Sequence, residues 1–305
     1  MSTLTEVRES FACFGGECTV IVSDADERDA ERAVQAARRS LLEWHRRFSR
    51  FEPDSELSAL NRDPRETVPV SPLMRRVAQA AVRAADDSGG LVNPTLVDEI
   101  EAAGYAESLG PAGALPLKDA LAAAPHRAPA APDPSARYLE LQVDRSSGTI
   151  TRPPGVKLDP GGIAKGVFAD ELAALLAGHG AFVVDCCGDL RLGGADGVER
   201  DVRVESPFDA SVLHTYGVSE GAFATSGIGR RAWLDAYSRP AHHLLDPGTG
   251  RPAFTGVVQA TALASTAAQA EMRSKAALLV GPDRACTWLP DGGVVVLDDG
   301  SSLVV

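Results

Sequence analysis

"LDPGGIAKGVFAD", residues 158–170, holds three glycines, one lysine and two aspartates within thirteen positions. A glycine-rich loop with a lysine invites a phosphate reading, but the two common patterns do not fit. A Walker loop needs four residues between two glycines, then Lys and Ser/Thr. Here Gly166 follows Lys165, so no hydroxyl stands where magnesium would need it. The dinucleotide fingerprint G-x-G-x-x-G is also absent. Both parallel-sheet nucleotide folds therefore lose their signature. What remains is bare backbone at Gly161-Gly162 before a helix start, with Lys165 in the first turn. Backbone N–H groups and the positive helix end can seat an oxyanion there. Asp159, just outside, accepts from an amine or hydroxyl and repels phosphate. An acceptor beside an anion seat suits a ligand that carries both a base or sugar and a phosphate.

The 305 residues are 44% hydrophobic and 24% charged, with a formal charge of −12. That is enough chain for a real core. Nucleic acid is excluded as a partner, because phosphate neutralisation needs clustered Lys/Arg. No run of about 18 apolar residues exists to span a membrane. The opening stretch "MSTLTEVRESFACFGGECTVIV" has no basic n-region and no lipoprotein cysteine in a signal context. With five cysteines and no C-x-x-C, it reads as a cytoplasmic chain with reduced thiols. The adjacent Cys186 and Cys187 read as buried small hydrophobes. Only four lysines occur (118, 157, 165, 275). A chain that prefers arginine yet keeps Lys165 points to a need for a compact ammonium.

Periodicity outlines the elements. Residues 17–23 read as a strand. Residues 26–50 form a helix, with Val34, Ala37, Leu41, Trp44 and Phe48 on one stripe. Ser71-Pro72 starts a helix that runs to about Asp87, and another helix spans about Thr95–Ala103. Residues 125–137 hold four prolines and read as an ordered surface loop or linker. "YLELQVD" puts Leu139, Leu141 and Val143 on one strand face before an "SSG" turn. A helix covers about Ala164–Leu176, and strands cover 181–185 and 190–192. "DVRVE" and "LHTYGVS" are further strands, 266–280 is helical, and the C-terminal stretch is a hairpin. Strands and helices mix without regular βαβ alternation, which gives an α+β fold, and the length allows one large domain or two modest ones.

Several stretches look built rather than patterned: "RFSRFEPDSELSALN" (47–61), "LVNPTL" (91–96), "FATSG" (223–227), "HHLLDPGTGRPA" (242–253) and "AEMRSKAALLVG" (270–281). Together with 158–170 they run in the order seen in the ApbE family of FAD:protein FMN transferases, which the chain resembles from about residue 12 to 281. The resemblance implies an ApbE-like (T-fold-like) two-lobed architecture with FAD in a cleft between the halves. It also implies that FAD's pyrophosphate is cleaved with Mg2+, that FMN passes to a threonine hydroxyl of a target protein, and that AMP leaves. Carried over residue by residue, Phe51 stands near the flavin, and Asn93, Pro94 and Thr95 form a flavin-lining turn. Asp159 reads the adenine end. The Gly162 carbonyl is a metal ligand, and Lys165 is a ligand contact with a catalytic role. Thr225, Ser226 and Gly227 line the FAD site. His243, rather than its neighbour His242, sits beside the pyrophosphate as a catalytic residue. Asp246 opens the following turn, which reads equally as plain structure.

Two departures matter. The family's Met-Gly-Thr stands here as Phe14-Gly15-Gly16, a changed cofactor contact. The family's Asp and Thr metal ligands on the late helix stand as Glu271 and Lys275. Glu271 can still bind Mg2+, but a protonated Lys275 cannot, so it either replaces the cation or swings out of the site. The expected function is FMN transfer. The alternatives are a non-catalytic FAD-binding relative or an FAD pyrophosphatase.

Overall fold

The computed structural model describes residues 4–108 and 115–305. Its frame is an eight-stranded sheet of β1 (Thr5–Cys13), β2 (Gly16–Asp24), β3 (Ala181–Cys186), β4 (Asp189–Gly193), β5 (Gly221–Gly227), β6 (Val257–Ala264), β7 (Gly293–Leu297) and β8 (Ser302–Val304). The strands lie across the sheet in chain order, and every neighbouring pair is antiparallel. Such a sheet needs no crossover helices between strands. The helices instead enter as insertions, most of them between β2 and β3.

Three helices cover one face. The first, α1 (Glu27–Phe48), lies on β1 and β2. It is capped by the Asp26 carboxylate, which accepts from the Arg28 N–H, and it buries Ala30, Val34, Ala37, Leu41 and Phe48, the stripe expected from the sequence with Trp44 half-buried at its edge. Next along the chain come α2 (Glu56–Arg62), α3 (Pro72–Asp87, capped by Ser71), α4 (Val97–Ala102) and α5 (Leu117–Ala122). The helix α6 (Ala164–Leu176) lies on β3 and β4, and α7 (Ala267–Leu279) on β5 and β6. Phe168 of α6 anchors this layer, its ring 5.2 Å from those of Trp44 and Phe48. The opposite face is covered at its centre by a separate strand pair, Arg200–Glu205 with Val212–Val218. That pair packs Val202, Tyr216 and Val218 on Val183, Leu192 and Phe223.

The join between α6 and α7 is the tightest in the layer. A Cβ on Gly166 would lie 2.6 Å from the backbone carbonyl of Ala267, so only glycine permits this approach. Asp170 of α6 caps α7 from outside, accepting from the Ala267 and Ala268 N–H groups at 2.8 and 3.0 Å. Those are two of the N–H groups a helix start leaves unpaired.

Two expectations change and a third is narrowed to one of its alternatives. Residues 137–140 are a 3-10 turn with Leu139 63% exposed, and the strand is only Gln142–Asp144. The helix expected from Thr95 starts at Val97, because Asn93 holds Thr95 in a turn. The proline-rich 125–137 stretch is an anchored loop: the Ala128 N–H donates to the Phe254 carbonyl at 3.1 Å and the Ala130 N–H to that of Leu279 at 2.8 Å.

Gly166→Ala should destabilise the protein by roughly 1–3 kcal/mol through overpacking, despite the better helix propensity of alanine. Urea unfolding monitored by far-UV circular dichroism measures this. An unchanged midpoint would mean that α6 and α7 separate without cost.

Candidate functional site

A cleft of ≈ 770 Å³ opens at one end of the sheet. That size suits a small-molecule site, for which about 300–1,000 Å³ is usual. Its floor is made of turns and strand ends: Phe14–Gly16 between β1 and β2, Cys187 and Gly188 between β3 and β4, and Thr225–Gly227 closing β5. Phe51, Asn93, Asp159, Gly162, Lys165, His243 and Lys275 complete the wall among the residues singled out in the sequence. Pro94 and Thr95 stand outside it. The Pro94 carbonyl accepts from the Asp159 N–H at 2.8 Å, and Asn93 Oδ1 accepts from both the N–H and the hydroxyl of Thr95. These two residues shape the turn rather than face the cleft. Asp246 is also structural: its carboxylate accepts from Ala131 N–H at 2.8 Å and Thr249 Oγ1 at 2.7 Å.

The centre of the wall is a knot of four charges. Lys165 Nζ donates to Asp189 in a very close contact and to Glu271 Oε1 at 3.3 Å. Lys275 Nζ donates to the same Oε1 at 3.0 Å, and the Gly166 N–H donates to Oε2 at 2.9 Å. The Asp189 and Glu271 side chains are 2% and 0% exposed. Burial alone would push the Lys165 ammonium down, but Asp189 and Glu271 reverse that and raise it. Burial also pushes the Glu271 carboxyl up, and Lys165 and Lys275 overcome it, holding the group at about 2. Asp189 is raised to about 7, first by burial and then by repulsion from Glu271.

This geometry corrects the expectation for Lys165 and decides between the two for Lys275. Lys165 is not a free anion seat, since two carboxylates hold its ammonium. Lys275 does not swing out: it lies along Gly162, its Cε 3.4 Å from where a Cβ there would stand. Nor do the residues fit magnesium at Gly162 and Glu271. Three N–H donors already occupy the Glu271 oxygens, and a divalent ion would face two ammonium groups. Among the described residues no group of three His, Cys, Asp or Glu side chains is arranged to hold a metal. Asp189 was missed from sequence because it reads only as a break after Gly188. An acid opening a short strand straight after a glycine was the available signal.

Elsewhere the wall is held by short-range bonds. Arg50 lies over Phe51, 4.4 Å from its centroid, and its Nε is 3.4 Å from Asp159 Oδ2. Phe14 has φ 52° and stacks 5.6 Å from Phe168. The Thr225 hydroxyl pairs with that of Thr261, and the Ser226 hydroxyl with that of Ser274. Of the two histidines, only His243 lines the cleft. Burial, then the nearby Arg231, holds its imidazole well below the usual range, so it is neutral near pH 7. His242 is buried against Phe254, with ring centroids 4.7 Å apart. Four cleft arginines, Arg50, Arg203, Arg230 and Arg231, were not singled out from sequence.

The sequence profile described as the ApbE family matches residues 14–297. The chain is 28% identical over 257 residues to a FAD:protein FMN transferase of Treponema pallidum, covering 77% of this chain and 68% of that one. To a FAD:protein FMN transferase of Vibrio cholerae it is 28% identical over 274 residues, covering 86% and 79%. Among solved structures, the ApbE protein of Thermotoga maritima aligns with a TM-score of 0.78 at 24% identity, over 99% of this chain and 97% of that one. The apo flavinyl transferase ApbE of Pseudomonas stutzeri aligns with a TM-score of 0.76 at 19% identity, over 99% and 95%. Both share the α+β fold.

Lys165→Ala leaves Asp189 buried without its cation. The expected cost is roughly 3–5 kcal/mol of folding stability, the loss typical of breaking one side of a buried pair. Chemical denaturation at neutral pH measures it. A variant that keeps full stability would show that Lys165 is a surface lysine after all.

Proposed function

This chain belongs to the ApbE family, and on that premise we propose that it is an FAD:protein FMN transferase acting, as one domain over 1–305, on a threonine of a target protein. One observation carries this reading. Residues from six separated segments, Phe14, Phe51, Asn93, Asp159 with Lys165, Thr225–Gly227 and His243, meet in one cleft of ligand size.

In the proposed reaction the threonine oxygen attacks the phosphorus on the FMN side of the diphosphate. A new P–O bond forms, the bridging P–O bond breaks, and AMP leaves with the bridging oxygen. His243 at the wall, whose Nδ1 has no hydrogen-bond partner among the described residues, takes the hydroxyl proton. Phe14 and Phe51 offer ring faces to the flavin, and Asp159 offers an acceptor to the adenine end. Each ammonium of the four-charge knot is already held by an acid, so the knot offers no free cation to the diphosphate. The diphosphate charge falls instead to Arg203 and Arg230, whose side chains make no hydrogen bond or ion pair among the described residues. No step runs through magnesium. No helix among the described residues is long and apolar enough to cross a membrane. Five free cysteines support a reducing, cytoplasmic setting.

The test is direct. Purified protein, FAD and a threonine-bearing acceptor should release AMP and leave covalent flavin on the acceptor, with little change on adding EDTA. Hydrolysis alone would give AMP without labelled acceptor, and a binding protein would give neither. Lys275→Thr removes one ammonium from the knot. Two unit charges at about 4 Å repel by ~4 kcal/mol at an effective dielectric near 20, so the variant should gain stimulation by Mg2+. Strong Mg2+ dependence in the wild type would overturn this view of Lys275.

Arg230→Ala should weaken FAD binding by about tenfold or more, since a charge-assisted contact contributes roughly 1.5–3 kcal/mol. Fluorescence titration with FAD reads it. Equal affinity in both proteins would remove Arg230 from the diphosphate.

A further inference from the structure

Four of the five cysteines converge at the β2–β3 edge of the cleft. Cys18 opposes Cys186 in the strand register and is fully buried. Cys13 ends β1, and Cys187 follows β3. The sequence suggests that Cys186 and Cys187 are both buried hydrophobes, which holds for Cys186 only. Cys187 is half-buried and faces the cleft.

Three features set Cys187 apart. Its backbone is left-handed, φ 62°, a conformation a side chain rarely adopts without compensation. This turn brings its sulfur back under the sheet edge, 3.7 Å from Cys18 Sγ, where it donates to the Cys13 carbonyl at 3.3 Å. Gly16 makes room for it: a Cβ on Gly16 would lie 3.0 Å from that sulfur. The chain therefore holds one accessible thiol against one sealed thiol. The hydrogen bond from Cys18 lowers the Cys187 thiol, burial and the neighbouring Asp185 oppose this, and the nearby Lys165 and Arg231 cations favour the thiolate. The Cys18 thiol is raised. This is the asymmetry of an attacking and a resolving cysteine.

We propose that Cys187 is an oxidative modification site that reacts with a hydroperoxide and then closes a disulfide with Cys18. In the first step the Cys187 thiolate attacks one peroxide oxygen. An S–O bond forms, the O–O bond breaks, and hydroxide or alkoxide leaves, so sulfur is oxidised to the sulfenic acid as the peroxide is reduced. In the second step Cys18 sulfur attacks Cys187 sulfur. An S–S bond forms, the S–O bond breaks, and the hydroxyl leaves as water with the Cys18 proton. The sulfurs close from 3.7 Å to about 2.05 Å. The assignment does not rest on the flavin reading.

The full-length protein treated with hydrogen peroxide should lose one pair of hydrogens, with fragmentation mapping the bridge to Cys18 and Cys187. Cys18→Ser should instead retain one oxygen on Cys187 and be captured there by a cyclic 1,3-dione. An unchanged mass, a bridge to Cys13 or Cys186, or oxidation of Cys286 ahead of Cys187 would each overturn the proposal. Mapping the wild-type protein needs no variant to fold.

Discussion

The backbone contact between Gly166 and Ala267 is the constraint on which the site depends. It sets α6 against α7 so closely that one carboxylate, Glu271, reaches the backbone N–H of Gly166 and the ammonium of Lys165 on the neighbouring helix. Asp170 fixes the same junction by capping α7 from α6. The two helices in turn rest on β3–β6, whose ends form the cleft floor. Loosening this junction would therefore disturb the wall of the cleft as well as the core beneath it.

The same junction explains why a cation of the chain's own stands where a metal would be expected. A carboxylate buried without a counter-charge is expensive, and a lone ammonium beside it is only partly compensated in a low-dielectric setting. Two acids and two lysines, each within reach of an opposite charge, resolve both problems locally. What they do not provide is an excess of positive charge. That falls to the arginines around the mouth of the cleft, which reach it from the Arg200–Glu205 strand and the loop after β5.

Elements governed by local rules were legible in the sequence. The apolar stripe of α1 and the Ser71-Pro72 start of α3 follow from periodicity and capping. The first strand was not legible, because Glu9 occupies an inward position and spoils its alternation. The acid is tolerated there by Arg38, 2.9 Å away, and by Gln35. The strand expected through Leu139 failed for the opposite reason: the alternation is present, but the chain winds into a turn and leaves Leu139 in solvent. At the site, most of the residues singled out from the motifs line the cleft. They could not show that Lys165 is already paired, since its partners lie 24 and 106 positions away. Nor could they separate Pro94 and Thr95, which build a turn, from Asn93, which faces the cleft.

The mutual pairing in the four-charge knot has a consequence for how this sequence can change over generations. Replacing any one of Lys165, Asp189, Glu271 or Lys275 with a neutral residue strands a buried charge, whereas losing one acid together with one lysine keeps the balance. Descendants of this chain should therefore vary at these positions in opposite-sign pairs, with Gly166 fixed beside them. The positions would covary although they lie as far as 110 residues apart in the sequence.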